Sequence, residues 1–488
     1  MAYFGFDVGT SSTKAVLIGE NGQLLDTATV EHAVTRGERG LVEMGMDIWW
    51  QEFKDLYSRL VGKNGIKVRG IGVSGMGPCV GITTEAGKPL APAALYGIDW
   101  RALTEVEELT EKYGEENLLA TYDSALTSQA GGPKVAWFRK RHPEAFAAGV
   151  RLFMPHSWVI WQLTGDYVLD RHSASQLTPL YDPASGEWDF AKVREIGGEN
   201  FLTPRLGYSN EIAAETRASS ELPELEAGIP VIFGSIDAWA EQESVGAIAH
   251  RELFLMYGTT LFLIANAETR MRHLSMWGTT GTRAGTRNLA GGLATSGALT
   301  NWFRDLTGER DYAALIKDAA AVAPGANGLL ALPYFAGERT PIQDPNARGV
   351  LLGLTLDHTR GHIYRALLES TAFAVRHNIE TMEVAGAEIE RITCAGGGVK
   401  SPLWPQIISD VTGRAQVVRK HTIGASFGDA FMVAQTLGAV SELDEWNPVD
   451  HLVQPQDIPL YDSLYQDYRA LYTATADIQH RMAGIQNS

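Results

Sequence analysis

The chain opens on an apolar run, Tyr3-Phe4-Gly5-Phe6-Asp7-Val8, broken by a single carboxylate. A polar stretch follows, Gly9-Thr10-Ser11-Ser12-Thr13-Lys14, and Ala15-Val16-Leu17-Ile18 resumes the apolar run. Glu20-Asn21-Gly22 then supplies the residue types of a hairpin turn. The predicted unit is strand, turn, strand, with a polar tip that carries glycine. Residues 254–265 repeat the plan around Tyr257-Gly258-Thr259-Thr260. Other segments echo one another in the same order. Ile71-Gly72-Val73-Ser74-Gly75 and Ile392-Thr393-Cys394-Ala395-Gly396-Gly397-Gly398 each read as a strand running into glycine. Val231-Ile232-Phe233-Gly234-Ser235-Ile236-Asp237-Ala238 and Gly424-Ala425-Ser426-Phe427-Gly428-Asp429-Ala430 each turn into a helix. Three pairs in order predict a duplicated α/β chain. We divide it into residues 1–247 and 248–488, with the boundary falling in the stretch 247–251.

Helices separate the strands. Thr359 can cap one that runs to about Val384, with Gly386 beyond its end. Ser401-Pro402 opens another, which Gly413 closes. The tail, 483–488, is expected to fray.

Size and charge narrow the function. A chain of 488 residues exceeds one core, so two domains are expected. With 45% hydrophobic and 20% charged residues, its composition is that of a globular enzyme. The net charge of -17 argues against a nucleic-acid groove, which needs clustered Lys and Arg. It leaves room for a nucleotide held by backbone N–H groups and a divalent cation. The two cysteines, Cys79 and Cys394, have no ligand-type spacing, and a reducing, cytoplasmic setting fits them. The start of the chain has no signal-peptide pattern. The most apolar stretch, 253–267, is interrupted by Gly258-Thr259-Thr260 and is too short to span a bilayer. No membrane or nucleic-acid partner is expected, and a homodimer is left open.

Three places carry candidate chemistry. In the first turn, backbone N–H groups and the hydroxyls of Thr10, Ser11, Ser12 and Thr13 can meet phosphate oxygens, while Asp7 can hold Mg²⁺. One such turn is an ordinary polar hairpin; a second, Gly258-Thr259-Thr260, allows two hairpins to grip a triphosphate. Gly396-Gly397-Gly398 exposes backbone on which an adenine ring could lie, and the helix opening at Ser401-Pro402 makes this a strand–loop–helix ligand edge. Asp237 lies between a strand and a helix. It can take a proton from an attacking hydroxyl, or it can be a structural N-cap; spacing leaves both readings open.

These segments together resemble the FGGY family of carbohydrate kinases, over nearly the whole chain. Residues 6–14 are similar to its first phosphate motif. Gly337-Glu338-Arg339-Thr340-Pro341, then residues 349–354 and 362–369, resemble its second signature and the motif before it. Leu41-Val42-Glu43, Trp49-Trp50, Leu163-Thr164-Gly165 and residues 395–398 also fall in family positions. The resemblance implies two ribonuclease-H-like lobes of the actin-type ATPase fold, with ATP in the cleft between them. The first lobe would bind sugar and carry the first phosphate loop, Lys14 included. The second would bind adenosine and carry Gly258, Thr259 and Thr260 as the second phosphate loop. Asp237 matches the family's catalytic base.

The implied activity is ATP-dependent phosphorylation of a small sugar. D-xylulose or a close ketose is expected, because the second-signature region looks most like xylulose kinases. A kinase for ribulose, glycerol, erythritol or gluconate is the alternative, and an actin- or Hsp70-like ATPase without a sugar is the rival from another class. The chain also departs from the pattern. Gly131 stands where the first signature usually has Pro, Ser or Thr. In Met76-Gly77-Pro78-Cys79, Pro78 occupies the position of a histidine that touches the sugar in xylulose kinases. The Arg-Glu pair of glycerol kinases is missing from this region. Met76, Gly77, Pro78 and Asp99 are expected near the sugar, Asp99 with Arg101 otherwise forming a salt-bridged surface turn. His156 and His172 are expected to be structural, Trp49, Trp50, Trp158 and Trp161 to pack in the core, the basic residues at 134 and 139–141 to form a solvated helix face, and Asp344 and Arg348 to hold a loop.

Overall fold

The computed structural model describes residues 1–63 and 65–486. Two mixed sheets of the same plan organise it. In the first, β1 (Ala2–Val8), β2 (Ser12–Gly19) and β3 (Leu24–Glu31) form an antiparallel meander. β4 (Val68–Gly75) pairs parallel with β1, and β5 (Pro230–Ile232) continues outward from β4. In the second, β6 (Glu252–Tyr257), β7 (Leu261–Ala267) and β8 (Arg287–Leu293) form the meander. β9 (Arg391–Gly396) pairs parallel with β6, and β10 (Gln416–Arg419) with β9. The repeated motifs are therefore equivalent pieces of two copies of one topology.

Local expectations map closely onto the elements. The turn after β2 has Gly22 at φ 78°, a conformation costly for any residue with a Cβ. The long helix runs Arg360–Val384; His362 reaches back to the Thr359 N–H at 3.1 Å, and Gly386 follows at φ 100°. The next spans Leu403–Thr412 and ends on Gly413 at φ 66°. The C-terminal helix Leu460–Gln486 buries Tyr461, Tyr465 and Tyr468 in the second core. It stays helical through residues expected to fray; Asn487 and Ser488 lie outside the described residues. Residues 253–267 are β6 and β7, and among the described residues no helix is long and apolar enough to cross a membrane.

The lobes exchange helices. α1 (Asp237–Val245) leaves the first sheet and packs with Trp239 and Val245 against Phe254, Ile264 and Ala395 of the second. α2 (Ala425–Thr436) leaves the second sheet and lies on the first, its Ala430 and Val433 in one cluster with Tyr3, Val16 and Ile18. β1 alternates to make this possible. Phe4, Phe6 and Val8 enter the core of the first lobe, while Tyr3, Gly5 and Asp7 face α2. Gly5 and Gly72 are register partners on that face. A Cβ on Gly5 would meet Ser426 O at 1.8 Å, and one on Gly72 would meet Asp429 O at 2.2 Å. The two glycines form the trough that admits the helix. Division of the sequence at 247/248 separates the sheets but not these two helices.

Trp49 and Trp158 are buried in the first core, with Trp50 and Trp161 at its margin. Lys134 departs from the expected solvated face. It is buried, and its Nζ donates to Tyr96 O at 2.9 Å and Ser128 O at 2.7 Å, because the chain folds its carbonyls over that helix. Asp344 and Arg348 do hold their loop, through Tyr472 and His480 and through Gln479 and Gln486 respectively.

Candidate active site

Both polar hairpins sit at the ends of the meanders. In the first, Gly9 N–H donates to Ser12 O at 3.0 Å, Ser11 is exposed, and Thr10 Oγ1 lies 3.1 Å from Tyr96 Oη. Two of its residues are engaged elsewhere. Thr13 is fully buried, its hydroxyl donates to Glu52, and it lies within β2 between Val8 of β1 and Val30 of β3, so it does not face a ligand. Lys14 Nζ donates to Ile423 O at 2.6 Å, near Asp7 and Glu241. In the second hairpin, Gly258 N–H donates to Thr260 O at 3.0 Å and Thr259 is exposed. The helix beginning at Gly297 buttresses it, with Gly297 N–H on Gly258 O and Ala298 N–H on Thr259 O.

The glycine run at the end of β9 is open on one side only. Gly396 has φ 92°, and a Cβ there would meet Tyr257 O at 2.4 Å; one on Gly398 would meet the Tyr257 side chain at 2.8 Å. A Cβ on Gly397 would meet nothing within 4 Å. The backbone is thus pressed onto β6 and bare at Gly397, as a flat ligand would require.

Asp237 is the first helical residue of α1, and the cap position belongs to Ile236, which makes no side-chain cap bond. The N-cap reading therefore fails. The half-buried carboxylate accepts the Ala238 N–H at 2.8 Å. Burial raises it to about 6, against the Ala238 N–H and His156, which pull it down. Glu241, one turn along the same helix, is raised to about 7 by burial and then by Asp237. Asp7 is raised to about 8 by burial and by Asp237. Asp429 is raised well above the carboxylate range by burial. Lys14 is the cation that bears on Asp7 and Glu241. Four carboxyl groups with so little positive charge fit a site completed by a cation. Among the described residues no three His, Cys, Asp or Glu side chains converge into a cage. The donor set therefore suits Mg²⁺, which commonly binds through one or two carboxylates with waters and phosphate oxygens.

The sugar-side residues are mixed. Gly77 packs on Ile236, so the 76–78 turn lies against the start of α1; a Cβ on Gly77 would meet Ile236 Cγ1 at 2.6 Å. Met76 contributes backbone, its N–H donating to Val8 O at 2.7 Å, while its side chain is in the core. Pro78 is buried and has no donor. Asp99 does not point to a ligand. It is fully buried and accepts from Val42 N–H at 2.7 Å and from Arg101 Nε and Nη2 at 2.8 Å, while Arg101 also holds Glu43. The salt bridge expected there is real, but it is a buried strut, since the hairpin of Val42 folds over it. His156 pairs with Asp170 at 2.9 Å, and His172 sits between Thr280 O and Gln176.

Several polar groups at the site were not legible beforehand. Gln129 accepts Gly97 N–H at 2.9 Å, and its amide nitrogen is 3.5 Å from Gly77 O. Tyr96 bridges to Thr10; Glu338, already marked by the 337–341 motif, accepts Ala294 N–H and Arg339 N–H. Ser74 and Asp429 stand behind Asp7. For Asp429 the only signal is its place in the segment Gly424–Ala430, which echoes the one ending at Asp237-Ala238; within its helix it is the fifth residue, whereas Asp237 is the first. Gln129 offers none.

Comparison with known proteins defines the class. The structure of a xylulose kinase from Rhodospirillum rubrum superposes with a TM-score of 0.90 at 27% identity, covering 98% of this chain and 100% of that one. A glycerol kinase from Plasmodium falciparum with ADP superposes at 0.88 with 20% identity, over 98% of both chains, and shows the fold alone. The molecule is a two-lobed sugar kinase of the actin-like ATPase type. Models of the N-terminal and C-terminal domains of the FGGY family of carbohydrate kinases match residues 2–242 and 253–436, and the chain belongs to that family. It is an ATP-dependent carbohydrate kinase, which removes the sugar-free ATPase from consideration. Among curated relatives, the xylulose kinase of Lactococcus lactis is 24% identical over 98% of each chain, and the glycerol kinase of Clavibacter michiganensis 28% over 90% of each.

Proposed function

We propose that this kinase phosphorylates a ketopentose, D-xylulose or a close relative, with Asp237 as the base. The observation that carries the chemistry is the position of Asp237, at the head of α1, half-open and against the 76–78 turn. A sugar hydroxyl gives its proton to the Asp237 carboxylate as its oxygen bonds to the γ-phosphorus of ATP. The bond from that phosphorus to the bridging oxygen breaks, and ADP leaves. The hairpins at 10–12 and 258–260 hold phosphates, and the 396–398 platform receives adenosine. Asp7 would hold Mg²⁺, which supplies charge neutralisation on the phosphates. Positioning and electrostatics do most of the work in phosphoryl transfer, and these groups supply both.

The ketopentose reading is supported by xylulose kinases that match end to end. A polyol or aldonate is the second reading, favoured by one observation: Pro78 has no hydrogen to give a sugar. Leaving a buried hydroxyl unpaired costs about 1–3 kcal/mol, so another donor must serve. Gln129, beside Gly77, has an amide nitrogen with only a long contact. The test compares kcat/KM on D-xylulose, D-ribulose, L-ribulose, gluconate, glycerol and erythritol. A non-ketose ahead by more than about tenfold, or roughly 1.4 kcal/mol in transition-state binding, replaces the ketopentose assignment.

A further inference from the structure

Behind Asp7 lies a chain of polar groups that the phosphotransfer reading does not use. Asp7 and Ser74 are register partners on β1 and β4, on the face covered by α2. Ser74 Oγ is 3.1 Å from Asp7 Oδ1 and 2.6 Å from Asp429 Oδ2. Ser74 and Asp429 are fully buried, and Asp429 Oδ1 has no partner. Asp429 comes from the second half of the sequence, 355 residues from Ser74. It reaches Ser74 only because Gly5 and Gly72 let α2 lie against the sheet.

We infer that Asp429 is a positioning residue, acting through Ser74 to fix the carboxylate of Asp7. A hydroxyl has one proton to give. Both contacts of Ser74 are hydrogen bonds only if one of the two carboxyl groups carries its own proton. Asp429 is the more deeply buried of the two and has the greater cost of ionisation. The proton sequence is then Asp429 Oδ2–H to Ser74 Oγ, and Ser74 Oγ–H to Asp7 Oδ1. Asp7 Oδ1 is then an acceptor held at one angle, with its other oxygen available to the cleft. An isolated buried carboxyl group is costly, and a fully connected one rigidifies what it touches. The inference rests on the reading of Asp7 as the magnesium-holding carboxylate.

The test measures Mg²⁺ dependence in two ways: the concentration giving half-maximal turnover, and the thermal shift produced by Mg²⁺ with ADP. Groups that orient a metal-holding residue typically change metal affinity by about 10–100-fold when removed. Asp429→Ala and Ser74→Ala are each expected to raise both Mg²⁺ midpoints by about that factor, with KM for the sugar unchanged. The double variant should lose no more than either single one, as members of one network do. Asp429→Asn keeps a donor toward Ser74 and should recover most of the loss. Multiplying effects in the double variant would overturn the relay. Unchanged Mg²⁺ midpoints in Ser74→Ala, or in folded Asp429→Ala, would overturn it while leaving Asp7 in place, provided Asp7→Ala itself shifts them. Unchanged midpoints in Asp7→Ala would overturn the underlying reading instead. If Asp429→Ala fails to fold, Ser74→Ala and Asp429→Asn decide the matter.

Discussion

Replacing Asp237 by Asn removes a base while keeping size and the contact with the Ala238 N–H. General-base removal costs roughly 10²–10⁴-fold, and the pH profile shows whether the loss has that cause. With Asp237 at about 6, about 97% is ionised at pH 7.5 and about 9% at pH 5, from the ordinary titration relation. An unperturbed aspartate near 3.9 would still be about 93% ionised at pH 5. Burial thus converts a flat acid limb into a roughly tenfold fall of kcat/KM between pH 7.5 and pH 5. The assay is coupled ADP release under saturating ATP and Mg²⁺, with the stability of the protein checked at each pH. Wild-type enzyme should show the fall, and Asp237→Asn a low rate without that limb. Asp237→Glu should also lose rate, since it advances the carboxylate by one methylene and misplacement of about 1 Å can cost about 10²-fold. An Asn variant turning over at near the wild-type rate would refute the role of Asp237. A wild-type profile flat to pH 5 would refute the claim that burial tunes it.

Two further outcomes follow from packing and charge. Gly72→Ala should destabilise by about 1–3 kcal/mol or prevent folding, because its Cβ meets the backbone oxygen of Asp429, which cannot rotate away; a urea midpoint equal to wild type would refute the trough. The folded chain holds the Asp7 proton up to about pH 8, whereas the unfolded chain releases it near pH 4, so raising the pH through this window favours unfolding. Without ligands, Asp7→Asn should therefore gain stability over wild type at pH 8.5 and not at pH 4, and equal gains at both would remove the charge argument.

Much of the fold was legible along the chain because its signals are local. The polar tips at Gly9–Lys14 and Gly258–Thr260, the caps at Thr359, Gly386 and Gly413, and the paired order of strands each depend on a few adjacent residues. They marked a duplicated α/β architecture and the turns proposed to hold phosphates. Spacing left Asp237 divided between base and cap; a one-residue shift of the helix start removes the cap reading, and no propensity resolves a single residue.

The tertiary structure decided what depends on distant partners. Asp99 and Lys134 looked available in sequence, but Arg101, Val42 and two carbonyls claim them once the hairpins close. Gln129 reaches Gly77 across 52 residues, and Asp429 reaches Ser74 across 355. The raised carboxyl groups have the same origin: burial in the folded chain makes the charge of each costly. Sequence fixes which groups a chain carries. Burial and the exchange of helices between lobes fix which of them are left with a proton, a partner or an open face.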